Sequence, residues 1–113
     1  MGRLCFGGAV LVSLVVLFMP ADGVPWAPAG VDKLVHLGVF ALLGATGRWI
    51  RIPPLPLVVA LTAYAVLSEV LQGLLPIGRS PDVLDVVADC VGVSLGILAH
   101  ALLTRGPTGG AAR

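Results

Sequence analysis

Ser68 to Gly96 reads S-E-V-L-Q-G-L-L-P-I-G-R-S-P-D-V-L-D-V-V-A-D-C-V-G-V-S-L-G, two apolar segments that meet at a Pro/Gly turn. Glu69 and Gln72 lie near the end of the first segment, Arg79 and Ser80 sit in the turn, and Asp82, Asp85 and Asp89 open the second. The rest of the chain largely avoids such residues. Ionisable groups inside membrane-length apolar segments are costly, so each needs a structural or functional reason.

Composition identifies the solvent. The 113 residues are 58% hydrophobic and 12% charged, with a mean hydropathy of +1.03, against about 45–50% apolar and about 25% charged in ordinary soluble domains. This is the composition of a membrane protein. A span needs about 20 mainly apolar residues, so four spans with short connections nearly use up the chain and leave no soluble catalytic domain. The net charge of +1, with Lys and Arg scattered singly, argues against nucleic acid as a partner. Cys5 and Cys90 have neither C-x-x-C nor Cys/His spacing, which speaks against a disulfide framework or a zinc site built on them.

Working outward from the central stretch, helix breakers divide the chain. Leu4 to Met19 is an apolar run preceded by Arg3 and closed by Pro20. It fits either a first span (about 4–20) or a signal peptide; the Pro-Ala-Asp-Gly that follows Met19 gives no clean cleavage site, and removal would leave an odd number of spans. Pro20 to Gly30 is a breaker-rich surface loop carrying Trp26. Val31 to Trp49 is the second span, the Pro-rich Arg51 to Pro56 a tight connection, Leu55 to Leu75 the third span, and about 82–103 the fourth. Ala88, Gly92 and Gly96 form a small-xxx-small ridge for a close helix neighbour. Residues 104–113 read as a flexible tail. The fold class is therefore all-α, an antiparallel bundle of four transmembrane helices in a single domain.

Four spans set the ends. One end holds Arg3, Arg48, Arg51, Arg105 and Arg113 with no acid; the other holds Lys33 and Arg79 as its only bases. By the positive-inside rule both termini are cytoplasmic, in a plasma membrane of bacterial type.

That orientation gathers polar residues on the outer side at one level: Asp32, Lys33 and His36 from span two, Glu69 and Gln72 from span three, and Arg79 to Asp89 from span four. Within each helix the spacing places each set on one face, which is expected to point inward. Glu69 lies about 9 Å below its helix end at about 1.5 Å per residue. Asp22, Asp32, Glu69, Asp82, Asp85 and Asp89 outnumber the two bases. Either some carboxylates are protonated with His36 charged, or the site binds a cation or a cationic ligand group.

Structural alternatives stand beside this reading. Ser80 and Asp82 are expected to cap a helix, with Pro81 in its first turn. Asp32 and Lys33 fit a snorkelling interfacial pair or a functional one, and His36 a satisfied bundle histidine or a proton relay. Gln72 fits an interhelical hydrogen bond. Glu69, Arg79 and Asp85 are favoured as functional, the alternative being a bridge from Arg79 to Asp85 or Glu69. Asp89 fits either role; His100 is expected at the interface, and Tyr64 and Ser68 satisfy polar neighbours.

These residues resemble the VanZ-like family, small membrane proteins linked to teicoplanin resistance. The match rests on D-K-L-V-H at Asp32 to His36, S-E-V-L-Q at Ser68 to Gln72, and G-R-S with V-L-D at Gly78 to Asp85, followed by A-D-C-V-G-V-S-L-G to Gly96. It covers roughly Val31 to Gly96, and span one agrees only in place and hydropathy. The resemblance implies that Asp32, Lys33, His36, Glu69, Gln72, Arg79, Ser80 and Asp85 are the recurring polar positions. Asp89 departs from it, since the family usually carries Asn there. An envelope role is implied, without an accepted mechanism, and nothing resembles the enzymes that remodel peptidoglycan stems.

Two functional readings and one structural reading follow. In the first, an outward pocket binds or modifies a lipid-linked or amphiphilic ligand such as a cell-wall intermediate or a lipoglycopeptide. Lys33 and Arg79 hold an anionic head group, with Asp32, Gln72 and Ser80 in the binding set, while Glu69, Asp85 and His36 are the candidates for catalysis or proton handling. In the second, the chain is a small ion-coupled or multidrug-type transporter; the strong charge bias and the lack of an inner polar pathway count against it. In the third, the cluster clamps helices in a structural scaffold. No cofactor, metal or oligomeric state is specified by the residues.

Overall fold

Helix breakers stop the helices where the sequence places them. The computed structural model describes residues 1–23, 30–78 and 80–105; Trp26, Arg79, Arg113 and most of the expected tail lie outside the described residues. Among the described residues the structure is helical without strands: α1 (Gly2–Phe18), a 3-10 turn (Ala21–Gly23), α2 (Val31–Trp49), α3 (Pro54–Leu74) and α4 (Val83–Leu103). The boundaries fall within two residues of those expected from the sequence.

Local chemistry explains each end. Pro20 follows the extended C-cap Met19 of α1, and Gly30 opens α2 at φ 91, a left-handed conformation that favours glycine. The α2–α3 connection is a Schellman turn: Ile52 N–H donates to the Gly47 carbonyl (3.0 Å) and Arg51 N–H to the Arg48 carbonyl (2.9 Å). Arg51 holds the left-handed position at φ 69, where glycine is usual. Pro54 then takes the first position of α3, where a missing N–H costs nothing.

The helices run alternately up and down. Gly2 abuts Trp49 and Ile50, so α1 and α2 are antiparallel, whereas Ser13 bonds Tyr64 and Leu17 bonds Gln72, so α1 and α3 run together. Glu69 meets Asp82, and Pro54 and Leu55 share a groove with Leu98 and Ala101, making α3 and α4 antiparallel. Around the bundle the order is α1, α2, α4, α3, with α2 also touching α3 across the middle; α1 and α4 do not touch.

The closest pair is α2 with α4, which run parallel. The expected small-residue ridge is their seam: a methyl built on Gly92 would run into the Leu37 carbonyl oxygen, and one on Gly96 into that of Ala41. Gly44 answers from α2, where an added Cβ would sit 2.8 Å from the Val93 carbonyl oxygen. Ala88 is only half-buried, so the two glycines carry the contact.

The exterior is apolar, and the interior mixes an apolar core, including Leu17, Phe40, Leu43 and Leu57, with polar residues. Leu11, Val59, Leu67, Leu95 and Leu98 face outward, while Ser13, His36, Thr46, Ser68, Glu69, Gln72, Asp85 and Asp89 are buried. An apolar exterior around a partly polar interior is what lipid, not water, selects. α3 and α4 have 21 residues each and are long and apolar enough to cross a membrane, about 31 Å at 1.5 Å per residue against a hydrocarbon core of about 30 Å. α1, at 17 residues, is a shorter apolar helix; its Ala9, Ser13 and Leu17 pack inside the bundle.

Candidate functional site

The alternating topology brings the N-termini of α2 and α4 to the same end as the C-terminus of α3. Both N-termini turn their positive dipole ends toward this region, which favours carboxylates there. Asp32, Asp82 and Asp85 are the acids in or beside those first turns. Arg3, Arg48, Arg51 and Arg105 belong to the opposite end of the helices.

Lys33 sits among the three aspartates. Its Nζ donates to Asp82 Oδ2 at 2.7 Å, Asp85 Oδ1 at 2.9 Å and Asp32 Oδ2 at 3.1 Å, clamping the start of α2 to that of α4. Asp82, outside the helix, is held below the usual carboxylate range by this hydrogen bond and by the Leu84 N–H it accepts at 2.9 Å.

Asp82 is thus the N-cap of α4, and the expectation that Ser80 shares that role with Pro81 in the first turn is corrected. The cause is Glu69, whose Oε1 accepts the Asp82 N–H at 2.7 Å. That bond holds Asp82 extended, at φ −142 and ψ 115, so the helix begins after it. Pro81 instead packs over Gly73, where an added Cβ would lie 3.0 Å from its Cδ. Ser80 is exposed.

Deeper in the bundle, His36 lies between two carboxylates. Its Nδ1 shares a hydrogen bond with Asp89 Oδ1 at 2.9 Å, and its Nε2 stands 3.8 Å from Asp85 Oδ2. His36 is 1% exposed, Asp89 0%, Glu69 4% and Asp85 6%, so all four ionisable side chains are inside. Three buried atoms among them have no hydrogen-bond partner: His36 Nε2, Glu69 Oε2 and Asp89 Oδ2. One ligand-type atom from each of His36, Glu69 and Asp85 lies within 4.8 Å of the others. Such an arrangement can hold a proton or a cation, and can pass a proton between imidazole and carboxylate.

The sequence-derived candidates therefore separate. His36, Glu69 and Asp85 converge, and Lys33 and Asp82 close the cluster toward the helix ends. Asp32 points out, with 58% of its side chain exposed, although its spacing from His36 placed both on an inward face. Gln72 is buried but donates to the Leu17 carbonyl at 2.6 Å, tying α3 to the end of α1. Ser68 donates to the Ala65 carbonyl within its own helix (2.8 Å), and Tyr64 pairs with Ser13 (2.8 Å). Arg79 lies outside the described residues, so its alternative bridges do too. Asp89, absent from the expected binding and catalytic sets, is the direct partner of His36. Its spacing of i+4 from Asp85 was the available signal.

A family model described as VanZ/LLP1 matches residues 6–104, taking in α1 as well as the three polar blocks. No curated protein and no solved structure matches the chain.

Proposed function

Because the chain belongs to the VanZ/LLP1 family, we propose that it is a multi-pass envelope protein of the bacterial plasma membrane. Both termini are cytoplasmic, and the polar cluster opens outward to bind an amphiphilic, lipid-linked ligand. The observation that carries this reading is the burial of Glu69, Asp85, His36 and Asp89 side by side, near the ends of α2 and of α3 and α4, the two helices long and apolar enough to cross a membrane. Several buried ionisable groups lower stability unless their polar atoms are satisfied, and three of those atoms have no hydrogen-bond partner, so the cluster suits a partner outside the chain. The apolar outer faces of the helices would receive the ligand's hydrocarbon part beside this polar end.

In this reading Glu69, Asp85 and His36 meet the ligand's head group and handle its protons. Asp32 and Ser80, both exposed, form the approach, and Arg79 is assigned by its charge alone to an anionic part of the head group. Lys33 and Gln72 hold the helices first, since their donors already serve three carboxylates and the Leu17 carbonyl. In the family's sense the function is an envelope role that contributes to tolerance of teicoplanin.

Native mass spectrometry of the protein released from nanodiscs of bacterial envelope lipid extract tests ligand binding. Wild type is expected to carry a discrete lipid adduct that Asp85→Asn loses at equal helix content. An adduct of equal abundance in both, or none on wild type, would refute the pocket.

A further inference from the structure

We propose that His36, Glu69 and Asp85 form a binding site for one divalent transition-metal ion of the Zn2+ class, with Asp89 as the positioning residue behind His36. The inference rests on geometry and not on the identity of the lipid ligand. Three observations converge on it.

Each of the three side chains has one polar atom fixed and the other available. His36 Nδ1 is held by Asp89, Glu69 Oε1 by the Asp82 N–H, and Asp85 Oδ1 by Lys33. Two of the remaining atoms, His36 Nε2 and Glu69 Oε2, are buried without a hydrogen-bond partner, and Asp85 Oδ2 is 3.8 Å from His36 Nε2, too far for a hydrogen bond. This is the usual division of labour at metal centres, where a ligating histidine gives its second ring nitrogen to a carboxylate or carbonyl. With the Nδ1 proton directed at Asp89, Nε2 presents a lone pair. Asp89 Oδ2 is a third buried atom without a partner, on the positioning residue itself.

Separation and charge also fit. One nitrogen or carboxylate oxygen from each residue lies within 4.8 Å of the others, and metal–ligand bonds of about 2.0–2.2 Å, which set tetrahedral ligand atoms about 3.3–3.6 Å apart, require that the side chains close by up to about 1.5 Å. Two carboxylates balance a dication. A mixed imidazole and carboxylate set suits Zn2+ or a neighbouring first-row ion better than Mg2+ or Ca2+, which prefer oxygen alone. Three protein ligands leave a coordination position free, as catalytic zinc sites do.

The adjoining acidic group supplies a contrast. Asp32, Asp82 and Asp85 are equally close-set, but the Lys33 ammonium sits among them within 3.1 Å of each. One half of the acidic end therefore carries its own cation, and Asp85 joins that half to the other.

The test uses the full chain in detergent, stripped with chelator and re-equilibrated with Zn2+, with metal measured by mass spectrometry and affinity by calorimetry. Wild type, and a Cys5→Ser/Cys90→Ser variant that removes both thiols, should each retain about one Zn2+ per chain and unfold at a higher temperature when loaded. His36→Gln and Glu69→Gln should lose stoichiometric binding with helix content unchanged. Asp89→Asn should weaken it about tenfold, in the range for groups behind a ligand. Absence of binding and of thermal shift in wild type would overturn the proposal whatever the variants do. Stoichiometric binding that persists in His36→Gln, or that equimolar Mg2+ displaces, would overturn it as well.

Discussion

His36 Nδ1 stands 2.9 Å from Asp89 Oδ1, with 1% and 0% of the two residues exposed. The bond links α2 to α4 one turn below the Lys33 clamp. Asp89→Leu would leave the His36 Nδ1 group buried without a partner, costing about 1–3 kcal/mol, whereas Asp89→Asn keeps an acceptor and should be near neutral. Unfolding curves in detergent distinguish them. Equal loss in both variants would show that the charge, and not the hydrogen bond, is what His36 needs.

The α2–α4 seam should be the least tolerant part of the structure. Gly96→Ala drives a methyl into the Ala41 backbone, and overpacking of this kind costs about 1–3 kcal/mol. Gly38→Ala meets nothing within 4 Å and should be neutral or stabilising by up to about 1 kcal/mol. The two single substitutions, compared by thermal unfolding, test the seam directly.

Lys33 holds carboxylates that otherwise repel one another. Lys33→Met should destabilise the protein, and adding Asp85→Asn should restore part of the loss. The coupling in a double-mutant cycle is expected at about 0.5–3 kcal/mol, as for residues in one charged network. Strict additivity would show that the clamp has no energetic role.

Arg51 occupies the left-handed position of the Schellman turn at φ 69. A left-handed backbone costs a residue with a Cβ about 1–2 kcal/mol, partly offset in a glycine variant by the greater freedom of its unfolded chain. Arg51→Gly should therefore stabilise by about 0.5–1 kcal/mol. Its effect is read by denaturation in detergent, with ligand binding unchanged because Arg51 lies at the other end of the bundle.

Much of this arrangement was legible in the sequence, because prolines and glycines punctuate it and ionisable residues are rare. The four helices, the glycine ridge and the gathering of His36, Glu69 and Asp85 at one end follow from breaker positions and helical spacing alone. What could not be read depends on contacts between distant residues. Glu69 reaches across 13 positions to the Asp82 backbone, which carries no side-chain signal, and so leaves Asp82 as the cap without Ser80. Asp32 shares a face with His36 by spacing, yet it stands at the first turn, where the outward side is open and Lys33 draws it aside. The order α1, α2, α4, α3 is set by how closely the glycines of α4 admit α2, a matter of shape that hydropathy does not encode.

If the buried polar cluster serves the envelope and does more than hold helices together, its charge must matter in the cell. Glu69→Gln is the most discriminating substitution, since it keeps an oxygen for the Asp82 N–H while removing the charge. The measurement is teicoplanin and vancomycin susceptibility of a bacterium lacking its own copy and carrying empty vector, wild type or Glu69→Gln, at matched membrane abundance. The expected result is teicoplanin-selective protection by wild type that Glu69→Gln loses. Equal protection by both proteins, or none from a well-inserted wild type, would contradict it.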